Sequence, residues 1–345
     1  VLFVGAKGEI EETLVPRSGV PLATVEGGGL HGVGAVNTLK NLFHLGRGFM
    51  QARIILGQFQ PDVAFVTGGY VSVPVALAAR LRRRPVVVFL PDVEPGRAIK
   101  LLNRLATRVA VSVQASAPYV PADKMVVTGY PLRSEMVKAK SEGREAAKHA
   151  FGIPPSERVL LVFGGSRGAR TINRALGAIL EDVLGLAHVI HVSGTLDAEE
   201  CRSRRDALPQ SLQARYHLFD YVHEMAQTLA AADLVVARAG AATLAEFPYF
   251  GLPALLVPYP HAWRYQKVNA DFLAEQGAAM RINDEDMHER LLPTIEDLFR
   301  DEDRLKAMRE RSLALAKPGA ASKLADLLTA LSNASQPRGQ GTADA

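Results

Sequence analysis

Residues 159–170 read VLLVFGGSRGAR and are followed at 171–180 by TINRALGAIL. A run of aliphatic residues, a turn built on Gly164, Gly165 and Gly168, and then apolar residues at helical spacing describe a buried parallel strand that enters a helix through a glycine loop. Glycines let backbone approach a ligand closely. Amides at a helix amino terminus have no intrahelical acceptor, so the turn is an anion site, and Ser166 adds a hydroxyl donor. A diphosphate suits that chemistry.

The same alternation of strand and helix runs through the whole chain. Strands are expected at 1–4, 23–25, 63–66, 86–90 and 109–112, and a second series at 159–163, 188–192, 216–219, 234–237, 254–257 and 280–282. Two doubly wound α/β domains follow, and 345 residues suffice for two at roughly 150 residues each. Between the series lies 126–152, opening with Thr128-Gly129-Tyr130-Pro131 and then turning charged; it reads as a linker with its hinge near Pro131. The expected bounds are 1–131 for the first domain, 132–318 for the second, 319–332 for a C-terminal helix and 333–345 for a polar, disordered tail. The opening residues read as a strand already under way, so an upstream strand and glycine loop are expected to be missing.

Composition excludes several classes. With 48% hydrophobic and 22% charged residues the chain is globular and not disordered as a whole. A single cysteine, Cys201, rules out an intrachain disulfide and a cysteine-built zinc site, which points to a reducing compartment. A net charge of +4 is too small to argue for a nucleic-acid partner. No apolar run reaches the roughly 18 to 20 residues of a membrane span, and the start lacks the basic region and cleavage site of a signal peptide.

Three readings compete for the glycine turn. A dinucleotide fingerprint wants an acidic residue about 20 positions on, at the end of the next strand; the stretch there is His191-Val192-Ser193-Gly194, which argues against NAD. Residues 164–168 also satisfy G-x-S-x-G, the nucleophile elbow of hydrolases, with Asp220 or Asp233 and then His261 in the required order. Against it, this strand begins the second series instead of lying within one continuous sheet. The third reading is a tight turn that binds nothing.

A second cluster, Arg238-Ala239-Gly240-Ala241-Ala242-Thr243-Leu244-Ala245-Glu246, repeats the strand, glycine turn and helix start. Small residues admit a ligand to the backbone, and the Glu246 carboxylate can accept two hydrogen bonds from a vicinal diol such as a ribose. Its plainer role is to cap its own helix. Next comes His261-Ala262-Trp263-Arg264-Tyr265-Gln266-Lys267-Val268-Asn269, where Gln266 and Asn269 stand three apart on one helix face, an amide pair suited to sugar hydroxyls. Ligands of open α/β sheets bind at the carboxyl ends of the strands, and a nucleotide-sugar needs all three features.

The first half offers Thr67-Gly68-Gly69-Tyr70, a second candidate phosphate turn that packing alone would also explain. Asp92 and Glu94 follow the strand at 86–90, and Asp92 is the candidate base. Asp284-Glu285-Asp286 resembles a DxD metal motif, but it and Asp301-Glu302-Asp303 each open a helical segment, where carboxylates cap free amides. No metal site is expected. The helix at 36–55 carries a core-facing stripe beside Lys40, His44 and Arg47, and with Arg80, Arg82, Arg83 and Arg84 it reads alternatively as a basic, apolar surface for anionic lipid.

Taken together, the stretches PDVAFVTGGYVSVP, VTGYPLR, VFGGSRGAR, FDYVHEMA and ARAGAATLAEFPYFGLPALLVPYPHAWRYQKVNA resemble the MurG transferases along nearly the whole chain. The resemblance implies the glycosyltransferase B fold, an α/β architecture of two Rossmann-like doubly wound domains facing a cleft, with acceptor on the first and donor on the second. It implies an inverting, metal-independent transfer of N-acetylglucosamine from UDP-N-acetylglucosamine to undecaprenyl-diphosphate-linked N-acetylmuramoyl-pentapeptide, with no cofactor. It further implies a peripheral position on the cytoplasmic face of the cell membrane, encounters with other cell-wall enzymes, and no nucleic acid. By position, Ser166 and Arg133 match residues at the donor diphosphate, Val222 the residue whose backbone reads uracil, and Glu246 the ribose ligand. Gln266 matches a sugar-hydroxyl reader beside Asn269, and Ala241, Ala242, Thr243, Leu244 and Ala245 match the backbone around the nucleotide. The chain departs from the family at Leu90-Pro91-Asp92-Val93, where members carry His-Glu-Gln-Asn, at Tyr265, where they carry Gln, and at Tyr130, where they carry Asn. Two other readings stay open: a related enzyme of the same fold with another acceptor, sugar or an epimerase reaction, and a UDP-sugar-binding protein without activity.

Overall fold

The computed structural model describes residues 1–26, 35–165, 169–260 and 265–335, with side chains of the helix Ala35–Phe59 described from His44 onward. Contacts divide the chain into two units. One holds Val1–Pro91, Pro95–Thr128 and the chain from Ala321; the other holds Asp92–Glu94 and Gly129–Ala320.

In the first unit β1 (Phe3–Ala6) and β2 (Leu22–Val25) form a parallel pair. A four-stranded parallel sheet follows in chain order: β3 (Ala64–Val66), β4 (Val86–Leu90), β5 (Arg108–Val111) and β6 (Met125–Val127). Every residue of β4 is buried, as a continuous VVVFL run demands when helices cover both faces. One sheet was expected for this half. Instead an apolar groove of about 370 Å³, lined from β1 by Phe3 and Val4 and from β3 by Phe65 and Val66, lies between two sheets among the described residues.

The second unit has one six-stranded parallel sheet, built from β7 (Val159–Phe163), β8 (His188–Val192), β9 (Tyr216–Phe219), β10 (Leu234–Ala237), β11 (Ala254–Leu256) and β12 (Ala279–Arg281). Their spatial order is β12-β11-β10-β7-β8-β9. After β9 the chain returns to the middle of the sheet, so the strand order reverses between β7 and β10, with Phe163 opposite Ala237 at their carboxyl ends. A crevice opens at such a switch point, because the flanking helices diverge to opposite faces.

The boundary between the two units, at Thr128 and Gly129, falls inside the stretch expected as a linker, but much of that stretch is regular structure. Val126 and Val127 belong to β6, and two helices, Ser134–Glu142 and Arg144–Ala150, meet at Gly143, whose φ of +88° suits glycine. Their buried faces are only Met136, Ala139, Ala147 and Lys148, too narrow a stripe to stand out in the sequence. Asp233, just before β10, anchors this pair: its carboxylate accepts from Arg144 at 2.7 Å, Lys148 at 2.9 Å and the Val159 amide at 3.0 Å. The last described helix is Ala320–Ser335, so residues 333–335 of the expected tail are helical, and 336–345 lie outside the described residues.

Candidate functional site

The strand ends at the switch point carry the two glycine turns. After β7 come Gly164 and Gly165, whose φ of +94° only glycine adopts without strain, and beyond 166–168 the helix Arg170–Ala178 begins. Ser166 lies outside the described residues, as do Arg167, Gly168 and His261. The first-turn amides of Arg170 and Thr171 nevertheless stand at the positive end of this helix, and both residues line the cavity described below.

After β10 the chain turns through Gly240 into the helix Thr243–Phe250. Amides of Thr243, Leu244, Ala245 and Glu246 are engaged by the carbonyls of Gly240, Ala241 and Ala242, and the Thr243 hydroxyl donates to Gly240 at 2.7 Å. What Ala241 and Ala242 offer a ligand is therefore close approach. Leu244 and Ala245 are buried and support the turn from behind.

A cavity of about 790 Å³ joins these turns, within the size range of small-molecule sites. Gly164, Gly165, Ala242, Thr243, Glu246 and Gln266 all line it, so three sequence segments far apart in the chain converge on one space. No hydrogen bond engages the Glu246 carboxylate among the described residues; burial raises its pKa above the ordinary 4.5, and the charge of Arg133 works in the opposite direction. Half-buried and facing the cavity, that carboxylate is an acceptor open to the donors of a ligand. Gln266 opens the helix Tyr265–Glu275 with its Oε1 accepting from the Tyr259 amide at 2.9 Å, which leaves its NH2 group to donate.

Arg133 and Val222 do not line that cavity, although the charge of Arg133 reaches Glu246 within it. Arg133 is the exposed residue before the helix Ser134–Glu142 and lines a smaller pocket of about 240 Å³ with His223, Glu224 and Met225; Val222 is half-buried in the loop after β9, next to His223. Gly68, Gly69 and Tyr70 form the turn after β3 in the first unit, with φ of +104° and +78° at the glycines and the Ser72 hydroxyl donating to the Gly68 carbonyl.

Asn269, expected on the same polar helix face as Gln266, turns its side chain to protein partners and does not line the cavity. It is fully buried, its Oδ1 accepts from the Val93 amide at 3.1 Å, and its Nδ2 donates to Asp92 at 2.8 Å and to the Ala239 carbonyl at 3.1 Å. It holds the segment Asp92–Glu94 in the second unit. Burial raises the pKa of Asp92 while the Asn269 bond opposes the rise, and Tyr130, also raised by burial, feels the charges of Glu246, Asp92 and Arg133.

The sequence reading missed four residues that line the cavity: Thr171, Arg238, Tyr259 and Asp284. Asp284, expected to cap a helix start, instead pairs with Arg238, and Asp286 precedes the helix Met287–Arg300 without a side-chain cap. Asp301 does cap its helix, accepting from the Arg304 amide at 2.9 Å. No group of three His, Cys, Asp or Glu side chains is arranged to hold a metal among the described residues.

Known proteins share this architecture. Residues 1–111 match the glycosyltransferase family 28 N-terminal domain and residues 159–326 its C-terminal domain. The chain is 41% identical, over 96% of its length and 83% of the relative's, to the UDP-N-acetylglucosamine–N-acetylmuramyl-(pentapeptide) pyrophosphoryl-undecaprenol N-acetylglucosamine transferase of Roseiflexus sp. (strain RS-1). It is 36% identical to the transferase of the same name from Halalkalibacterium halodurans, over 94% of this chain and 89% of that one. The crystal structure of Acinetobacter baumannii MurG superposes with a TM-score of 0.75 at 24% identity, covering 95% of this chain and 90% of that one, which shows the same fold.

Proposed function

The chain belongs to the MurG transferase family, with the two-domain glycosyltransferase B fold, and we propose that it transfers N-acetylglucosamine from UDP-N-acetylglucosamine to a lipid-linked N-acetylmuramoyl-pentapeptide in peptidoglycan synthesis. The observation that carries the donor half is the Glu246 carboxylate, half-buried on a cavity whose other wall is a glycine turn at a helix amino terminus.

The ribose diol donates to Glu246, the diphosphate is bound by the first turn of the helix Arg170–Ala178 and by the side chains of Ser166 and Arg133, and Gln266 donates to a sugar hydroxyl. Uracil is read by the backbone at Val222, and Ala241 to Ala245 bring the main chain against the nucleotide. The glycine turn at Gly68, Gly69 and Tyr70 holds phosphate of the acceptor. In the reaction the acceptor hydroxyl oxygen attacks the anomeric carbon, the bond from that carbon to the β-phosphate oxygen breaks, and UDP leaves with the electron pair. Asp92 takes the hydroxyl proton; its raised pKa brings it closer to the working range of a base. The diphosphate charge is met by helix amides and Arg133, so the transfer needs no metal ion.

No helix is long and apolar enough to cross a membrane among the described residues. Met50 and Ile54 on one helix and Leu77 and Leu81 on its neighbour are exposed beside Arg53, Arg80, Arg82, Arg83 and Arg84, and Arg82 donates to the Arg53 carbonyl at 3.0 Å, joining the two helices. Apolar side chains ringed by arginines suit peripheral binding to the anionic cytoplasmic face of the membrane, where the acceptor resides.

Product analysis tests the assignment. With UDP-N-acetylglucosamine and a polyprenyl-diphosphate-linked muramoyl-pentapeptide, one disaccharide product should form for each UDP released. UDP release or sugar epimerisation without that acceptor would point to another enzyme of this fold.

A further inference from the structure

Arg238, the first residue beyond β10, is 9% exposed and touches the loops that follow three other strands. Its Nη1 donates to the carbonyls of Val257 at 3.1 Å and Pro258 at 3.3 Å after β11, and to the Asp284 carboxylate after β12. Its Nη2 donates to the Thr171 hydroxyl at 2.7 Å, in the first turn of the helix after β7, and that hydroxyl donates in turn to Asp284 at 2.9 Å. The guanidinium also stands 5.3 Å above the Tyr259 ring, and the Tyr259 amide donates to Gln266.

Burying an ion pair costs desolvation that an apolar pair of the same volume would avoid, so this geometry is a poor device for stability alone. Thr171, Tyr259 and Asp284 line the cavity that Glu246 lines. The planar fork of arginine can bond loops in several directions at once; a lysine ammonium has no such fixed geometry.

We infer that Arg238 is a positioning residue for the donor diphosphate: through Thr171 it fixes the amino end of the helix Arg170–Ala178, and through the 257–259 backbone it fixes Gln266. The inference rests on the donor site proposed above. A ligand without phosphate uses Glu246 but not the helix end, so it separates this role from general support of the fold.

The test is NMR titration of the full chain with UDP and with uridine. Arg238→Met should weaken UDP about tenfold or more, as loss of charge-assisted positioning implies, while uridine changes less than about twofold. Arg238→Lys should recover only part of the loss. Because Arg238→Met removes a buried charge and can unfold the chain, Thr171→Val provides the second variant. It deletes only the hydroxyl link and should weaken UDP several-fold, about threefold or more, again sparing uridine. Equal losses for UDP and uridine, or unchanged UDP affinity in both variants, would overturn the inference. A wild-type chain that binds uridine but not UDP would overturn the diphosphate role itself, whereas one that binds neither would instead remove the donor site on which the inference stands.

Discussion

Asn269 Nδ2 donates to Asp92 Oδ1 at 2.8 Å while the same side chain accepts from the amide of Val93. One buried amide thus fixes both the carboxylate and the backbone of the segment that carries it.

If Asp92 is the base, Asp92→Asn should lower kcat by about a hundredfold or more with donor affinity unchanged. The Asn269 bond lowers the Asp92 pKa, so Asn269→Leu should let it rise and move the acid limb of the kcat profile to higher pH. Steady-state rates across pH check both, and full activity in Asp92→Asn would remove it from the mechanism.

Stability of the second unit should fall on acidification. His191, between the Tyr216 hydroxyl at 2.7 Å and the Asn173 amide oxygen at 2.9 Å, is pushed by burial from 6.5 to about 3. His217, half-buried beside His188, is lowered by desolvation to about 4. Below 6.5 the unfolded chain binds protons that these imidazoles refuse while folded. Unfolding free energy should therefore be level above about pH 6.5 and drop toward pH 4 by up to about 1.4 kcal/mol per pH unit for each histidine. Urea midpoints at several pH values check the slope, and His191→Gln should reduce it.

Much of the fold is legible because parallel strands buried on both faces are unbroken apolar runs, as at Val159–Phe163 and Val86–Leu90. The helices at Ser134–Glu142 and Arg144–Ala150 are not, since their buried stripes are small and their anchor, Asp233, lies 89 residues from Arg144. The site divides the same way. Glu246 and the glycine turns announce themselves locally, whereas the commitment of Asn269 to Asp92 spans 177 residues and that of Arg238 to Asp284 spans 46. An amide or a carboxylate reads identically in sequence whether it faces a ligand or another side chain.

Asp233 is the costliest such partner to lose. It satisfies three cations, Arg144, Lys148 and Arg309, and a strand amide at a position only 8% exposed. Asp233→Ala should destabilise the chain by about 3 to 5 kcal/mol, because the buried Lys148 and the half-buried Arg144 and Arg309 lose their counter-charge. Chemical denaturation measures it directly.

The exposed Ile54 and Leu81 should govern membrane contact. Ile54→Asp with Leu81→Asp should reduce sedimentation with vesicles containing anionic lipid. The remaining binding should weaken further with salt, since the arginines contribute through a screened potential. Unchanged sedimentation would place the lipid-facing surface elsewhere.

Calorimetric titration of UDP-N-acetylglucosamine into the wild type and Glu246→Ala bears most directly on the donor site. The wild type should bind both UDP-N-acetylglucosamine and UDP and ignore NADH, and Glu246→Ala should lose about 1.5 to 3 kcal/mol, the worth of hydrogen bonds to a charged acceptor. Equal affinity in the two proteins would contradict a ribose held by Glu246, and with it the donor site at the carboxyl ends of β7 and β10.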